Sequence, residues 1–184
     1  MSTSHLPESV TLDLWAPLTS QALPDHWPAL LDGWMRGNQI LLSGLDAIET
    51  GASEHELDSA SASQIERVEA KLNLTLHLIG SLLAQQQPMA TPRTVRFSAH
   101  GAEWLAHEQY ARGTQLLLSI GLSEQVPQPL ILPAEVVHIE ASAAGGWLIT
   151  VLFQHLSEAV ANGLGRSVFR RHRRAIQARH SGQR

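Results

Sequence analysis

The chain alternates, then turns helical, then alternates again. Residues 10–18, VTLDLWAPL, alternate apolar and polar positions early and stop at Pro17, which predicts a short strand or an extended arm. From 27 to 49 the period changes. Trp27, Leu30, Leu31, Trp34, Leu41, Leu42, Leu45 and Ile48 fall at helical spacing and mark an amphipathic helix. Gly33, Gly37 and Gly44 each weaken it by up to ~1 kcal/mol against alanine, so it needs tertiary packing or breaks in two. Residues 50–62, TGASEHELDSASA, read as a polar link.

The clearest helical signal follows. SQIE at 63–66 is a capping box, in which Ser63 takes a backbone donor and Glu66 reaches back. From there to Gln87 only Gly80 opposes a helix, and Pro88 ends it. Ile65, Val68, Leu72, Thr75, Ile79 and Leu82 form a heptad seam. Leu74, Leu76, Leu78 and Leu83 widen the stripe over most of the circumference. A two-stranded seam would leave several of these leucines in water. A trimer or tetramer buries them, as does one seam for a partner with one face for the chain's own domain. A helix buried in a single core fits the same periodicity. The residues expected to drive assembly are Ile65, Val68, Leu72, Thr75, Leu76, Ile79, Leu82 and Leu83.

After Pro92 the pattern is β. Residues 93–98 and 101–108 alternate around a tight turn at Gly101, with Val95, Phe97 and Trp104 on apolar faces. Residues 114–120 form another strand, 130–140 one or two more with Pro133 at an edge or bend, and 147–154 the last. Gly145-Gly146 is a hairpin signal. Short strands in succession without intervening helices predict an antiparallel barrel or sandwich. Residues 157–180 predict a final helix capped by Ser157 and interrupted by Gly163 and Gly165, with a small apolar edge and a wide basic face.

Composition adds limits. With 184 residues, 43% hydrophobic and 16% charged, the chain can build a core and is too weakly charged for global disorder. The absence of cysteine excludes disulfides, thiolate metal sites and a cysteine nucleophile. The first residues have no basic region before an apolar run, and no stretch approaches the ~18–20 apolar residues of a membrane span, so a cytoplasmic location is expected.

The net charge of −4 conceals an asymmetry. Residues 166–184 carry seven arginines and no acid, while the rest carries six basic and 17 acidic side chains, a body of −11. The cluster FRRHRR at 169–174 therefore has several readings: nucleic-acid or membrane binding, an anion site for nucleotide phosphates, contact with acidic protein surface, or a solvated face. An acidic body makes nucleic acid the least favoured. Ten histidines are scattered with no HxxxH or HExxH pair, so no metal site is expected. No GxSxG, P-loop or paired-acid motif occurs, and nothing sits beside Ser123 to activate it, so no enzyme is expected.

The layout, with FSAHGAEWLA at 97–106, the strand order and the basic helix FRRHRRAI at 169–176, resembles a PilZ domain over residues 91–180. The preceding heptad helix resembles that of the atypical, tetramer-forming PilZ proteins. The resemblance implies an α+β chain in three parts. Residues 1–60 would be an N-terminal arm with an amphipathic helix and 61–88 an oligomerisation helix. Residues 91–184 would be a small six-stranded antiparallel β-barrel with a C-terminal helix. It also implies cyclic di-GMP as the ligand class, with no other cofactor.

The family's nucleotide motifs are RxxxR in an arm before the barrel and (D/N)xSxxG at the first strand pair. Here RFSAHG keeps Ser98 and Gly101 but has Arg96 at the Asp/Asn place, and the arm has no RxxxR. An arginine cannot accept the guanine N–H groups that a carboxylate accepts. The expected function is a non-catalytic adaptor of cyclic di-GMP-linked regulation of motility or virulence. It would act as a homo-oligomer, a tetramer, with an unknown protein partner and without the standard site. The alternative is a genuine receptor with a non-standard site built from Arg93, Arg96, Ser98, Gly101, Arg170, Arg171, Arg173 and Arg174.

Overall fold

The computed structural model describes residues 6, 10–50, 72, 90–123, 126, 128–143 and 145–181. It contains strands β1 (Leu12–Ala22), β2 (Pro92–Phe97), β3 (Gly101–Ala106), β4 (Gln115–Ile120), β5 (Leu130–Ala141) and β6 (Trp147–Phe153). Helix α1 (Trp27–Thr50) follows β1, and helix α2 (Glu158–Ser181) follows β6. The strands close an antiparallel barrel in the order β1-β2-β3-β6-β5-β4. The link 51–62 and the heptad residues Ile65, Val68, Thr75, Leu76, Ile79, Leu82 and Leu83 lie outside the described residues. Leu72 is helical and exposed.

The first segment is more than an arm that stops at Pro17. β1 runs straight through it and supplies the strand that closes the barrel, so the barrel is not confined to 91–184. Residues Leu12 to Pro17 pair with β2, and Leu18 to Ala22 pair with β4. Pro17 stands where the strand changes neighbours, opposite Pro92, so its missing N–H costs no ladder bond. Its carbonyl still accepts from the Gly121 amide at 3.0 Å. Residues 130–141 make one strand, not two, with a bulge between Val136 and His138.

The barrel interior is filled by the inward positions of all six strands. Trp104, Phe97, Leu18, Leu118, Ile120, Leu132 and Ile149 are among the fully buried side chains. Burying each large apolar side chain contributes about 1.5–3 kcal/mol. Leu41, Leu42 and Leu45 of α1 and Val160, Leu164 and Val168 of α2 join the same core. Buried Asn38 serves β5 as a substitute strand. Its Nδ2 donates to the Ile131 carbonyl at 2.7 Å, and its Oδ1 accepts from the Ile131 amide at 2.9 Å.

Neither long helix is broken by its glycines. α1 is continuous through Gly33, Gly37 and Gly44 because its apolar side is packed. α2 is continuous through Gly163 and Gly165, against the expected interruption. Gly163 is where the helices touch, since a β-carbon there would lie 3.0 Å from Leu42 Cδ1. Ser157 caps α2 as expected, its hydroxyl accepting from the Val160 amide at 3.3 Å.

Candidate functional site

The turn SAHG joins β2 to β3, and its polar groups are used within the turn. The Ser98 hydroxyl accepts from the His100 amide at 3.1 Å and from the Gly101 amide at 3.0 Å. It donates to the Gly101 carbonyl at 3.2 Å, so both lone pairs and the proton are engaged. Ser98 is fully buried. The Phe153 amide donates to the His100 carbonyl at 2.8 Å and pins the turn to β6. Gly101 is required by proximity, since a β-carbon would stand 2.2 Å from the Val151 carbonyl oxygen. Ser98 and Gly101 are thus both used by the hairpin itself.

Arg96, at the motif's Asp/Asn place, bridges three strands. Register sets it opposite Asp13 of β1 and Glu103 of β3. Its Nε donates to Asp13 Oδ1 at 3.1 Å, and its Nη1 to Glu103 Oε1 at 3.4 Å. Glu103 is 4% exposed and also accepts from Thr150 Oγ1 at 3.2 Å. The guanidinium therefore serves a buried carboxylate that would be costly to leave unpaired.

Arg93, on the same strand, lines an open cleft of about 340 Å³ with Leu18, Thr19, Ser20, His107 and Glu108. Beside it the Tyr110 hydroxyl shares a hydrogen bond with Ser20 Oγ at 2.9 Å and donates to Glu108 Oε2 at 2.8 Å. Burial raises the Tyr110 pKa above 10.0; the Ser20 hydrogen bond opposes this, and Glu108 adds to it. A phenol raised in the folded state contributes stability that is complete below the unfolded value and lost as pH rises through the folded one. Tyr110 is the only tyrosine, so ultraviolet difference titration reads it alone. The expected midpoint lies above 10.0, moving up in Ser20→Ala and down in Glu108→Gln. A midpoint unmoved by either variant would contradict this hydrogen-bond chain.

The basic helix meets the chain's own acids. Glu49, near the end of α1, is 14% exposed and receives Arg171 Nη2 at 2.9 Å, Arg174 Nη1 at 3.6 Å and Arg170 Nη1 at 3.7 Å. Arg170 also pairs with Asp46. Arg171 Nη1 donates to the Leu122 carbonyl at 2.6 Å, and Arg174 Nη2 to the Glu49 carbonyl at 2.7 Å. His172 Nδ1 lies 3.1 Å from the Thr11 carbonyl oxygen. Arg173 faces solvent. Of the readings open for FRRHRR, contact with acidic protein surface accounts for Arg170, Arg171 and Arg174, and that surface is intramolecular.

The candidate nucleotide residues thus divide. Arg93 lines the cleft at one end of β2, Arg96 is held by Asp13 and Glu103, and Ser98 and Gly101 build the turn. Arg170, Arg173 and Arg174 line a different groove, with Arg166, Phe169 and Gln177. Asp13, Asp46, Glu49 and Glu103 escape a reading of the sequence, because each is defined by a partner remote in the chain or on a neighbouring strand. Among the described residues no cluster of three or more metal-ligating side chains occurs, and no helix is long and apolar enough to cross a membrane.

Comparison with known proteins bears on this geometry. A family model described as atypical PilZ domain, cyclic di-GMP receptor, matches residues 42–180. Among solved structures, a pathogenic protein from Xanthomonas campestris is 26% identical with a TM-score of 0.77, covering 94% of this chain and 93% of that chain. It is a tetrameric PilZ domain self-assembled via an unusual helical bundle. The Bacillus subtilis inhibitor of motility, MotI/DgrA, aligns at 19% identity with a TM-score of 0.38, covering 44% of this chain and 41% of that one. No curated protein matches the chain.

Proposed function

The chain belongs to the atypical PilZ domain family, and on that premise we propose a non-catalytic adaptor of cyclic di-GMP-linked signalling. It works by oligomerisation and protein contact, without the standard nucleotide site, and serves motility or virulence control in the cytoplasm. The observation that carries this reading is the hairpin. The Ser98 hydroxyl is fully committed to its own turn, and Arg96 is committed to Asp13 and Glu103. A guanine edge would find neither the carboxylate nor the free hydroxyl that the family motif offers.

The test is calorimetric titration with cyclic di-GMP at near-physiological salt, confirmed by a second method. The expected result is no binding. Micromolar or tighter binding would instead favour the second reading, a non-standard receptor site. That reading draws support from Arg93, which lines an open cleft and has no carboxylate partner among the described residues. Arg93→Ala would then abolish the heat.

Oligomerisation is assigned to the segment 61–88, acting as a tetramer bundle. Support comes from the heptad seam, from Leu72, which is 57% exposed in the single chain, and from the tetrameric relative. Glutamate at both Leu72 and Ile79 is expected to give monomer or insoluble protein by light scattering. An unchanged oligomer would remove the heptad seam from the assembly.

A further inference from the structure

We propose that the cleft beside Arg93, at the mouth of the barrel, binds a small zwitterion: a free α-amino acid or a molecule with the same carboxylate and ammonium head. The inference goes beyond the adaptor reading and does not rest on it. It starts from an arginine in an unusual place. Arg93 shares its face of β2 with buried Val95 and Phe97, so strand alternation turns it toward the barrel interior. A charge so placed is costly unless a partner meets it. Arg93 is half-buried, and no carboxylate among the described residues pairs with it.

The groups around it leave a place for a ligand. The cleft of about 340 Å³ that Arg93 lines takes part of its wall from Leu18 of β1 and Ala106 of β3, both buried. That volume is at the small end of ligand sites. Glu108 lines the same cleft yet forms no ion pair with Arg93. Its Oε2 accepts instead from the Tyr110 hydroxyl at 2.8 Å, which Ser20 Oγ meets at 2.9 Å. A cation and an anion thus face one cleft without neutralising each other.

The wall chemistry selects the ligand. Arg93 offers its N–H donors to a carboxylate, and Glu108 has its second carboxylate oxygen for an ammonium. The two charges cancel, which suits a zwitterion and disfavours an oligoanion such as a nucleotide. Leu18 and Ala106 suit a short aliphatic side chain. Five residues of strand, about 16 Å, separate Arg93 from Ser98, so the cleft is distinct from the SxxG turn. Helices of other copies of the chain, each ~10–12 Å across, are too wide to enter it, and a measurement on the intact assembly reads whether they shut it.

The test is calorimetric titration of the full chain, in the assembly it forms, with L-leucine, isocaproate and isoamylamine. The last two are leucine without its ammonium and leucine without its carboxylate. Leucine is expected to bind at least about tenfold more tightly than either. Arg93→Gln and Glu108→Gln should each weaken leucine by about tenfold, with circular dichroism unchanged. Arg112→Gln, at an exposed turn outside the cleft lining, should leave leucine binding as it is.

Equal binding of leucine and isocaproate overturns the proposal, because a simple anion site would give it. No binding of leucine overturns it too, whether another copy shuts the cleft or the cleft is inert. Neither comparison needs a variant to fold. Leucine binding that survives both Arg93→Gln and Glu108→Gln places the site elsewhere and has the same consequence. Cyclic di-GMP added to the leucine-saturated chain should leave leucine bound; displacement would give the cleft to the nucleotide and overturn the proposal.

Discussion

Gly101→Ala is expected to lower barrel stability by about 3 kcal/mol or to prevent folding. The new methyl group would sit 2.2 Å from the Val151 carbonyl oxygen and 3.0 Å from Leu6 Cδ2. The leucine tip can rotate away. The carbonyl cannot, because Val151 belongs to the β6 ladder, where Ala102 pairs with Val151 and Gly101 with Leu152. Relief therefore requires β3 and β6 to part at the hairpin, which also disturbs the Ser98 turn. Denaturant unfolding measures the loss. Gly44→Ala is the control: its added methyl meets nothing within 4 Å, and the helix should gain up to about 1 kcal/mol. Wild-type stability in Gly101→Ala would mean that the strands are not so closely apposed. The variant also carries a warning for ligand studies, since loss of nucleotide binding in it would report a damaged barrel.

Glu49→Lys has the second large effect, about 3–5 kcal/mol, because it turns one carboxylate serving three arginines into a fourth cation at a mostly buried position. Arg170 and Arg171 are 24% and 19% exposed at their side chains, so neither reaches water easily when its partner is reversed. Arg174, at 52%, contributes less. The expected phenotype is directional: the second half of α2 lifts from α1 while the barrel persists. Limited trypsin digestion should cut Glu49→Lys between Arg170 and Arg174 under conditions that leave the wild type whole. Glu49→Gln keeps an acceptor and should fall between the two. Equal trypsin resistance of wild type and Glu49→Lys would show that the ion pairs do not hold the helix.

Several features were legible because they are local. The helix expected over 27–49 is Trp27–Thr50, and each strand expected after Pro92 occurs within a few residues of its place. Periodicity depends only on neighbours, so one sequence suffices. Pro17 misled for the opposite reason. Proline ends a strand only where its N–H is needed, and here that depends on the change of partner from β2 to β4, a fact of topology. Gly163 misled likewise. Its helix cost is offset by the approach of Leu42, which no property of residues 157–180 announces. At the hairpin, SxxG was visible, but the sequence could not distinguish a hydroxyl kept for a ligand from one spent on its own turn. The acidic partners of FRRHRR, Asp46 and Glu49, sit more than a hundred residues upstream, in a stretch that reads as ordinary helix surface.

The place of β1 in the barrel has a consequence for how the chain is made. Pro17 pairs with Pro92, and Leu18 with Ile120, so the first strand leaves the ribosome well before either neighbour. At ~5–20 residues per second, β1 waits several seconds with both edges unsatisfied. During that interval it is a strand open to chaperones or to the nascent chains of neighbouring ribosomes. The strand made first is locked only when β4 arrives. A fragment beginning at residue 91 would leave β2 and β4 as bare edges, and it should be recovered in inclusion bodies rather than as a free domain.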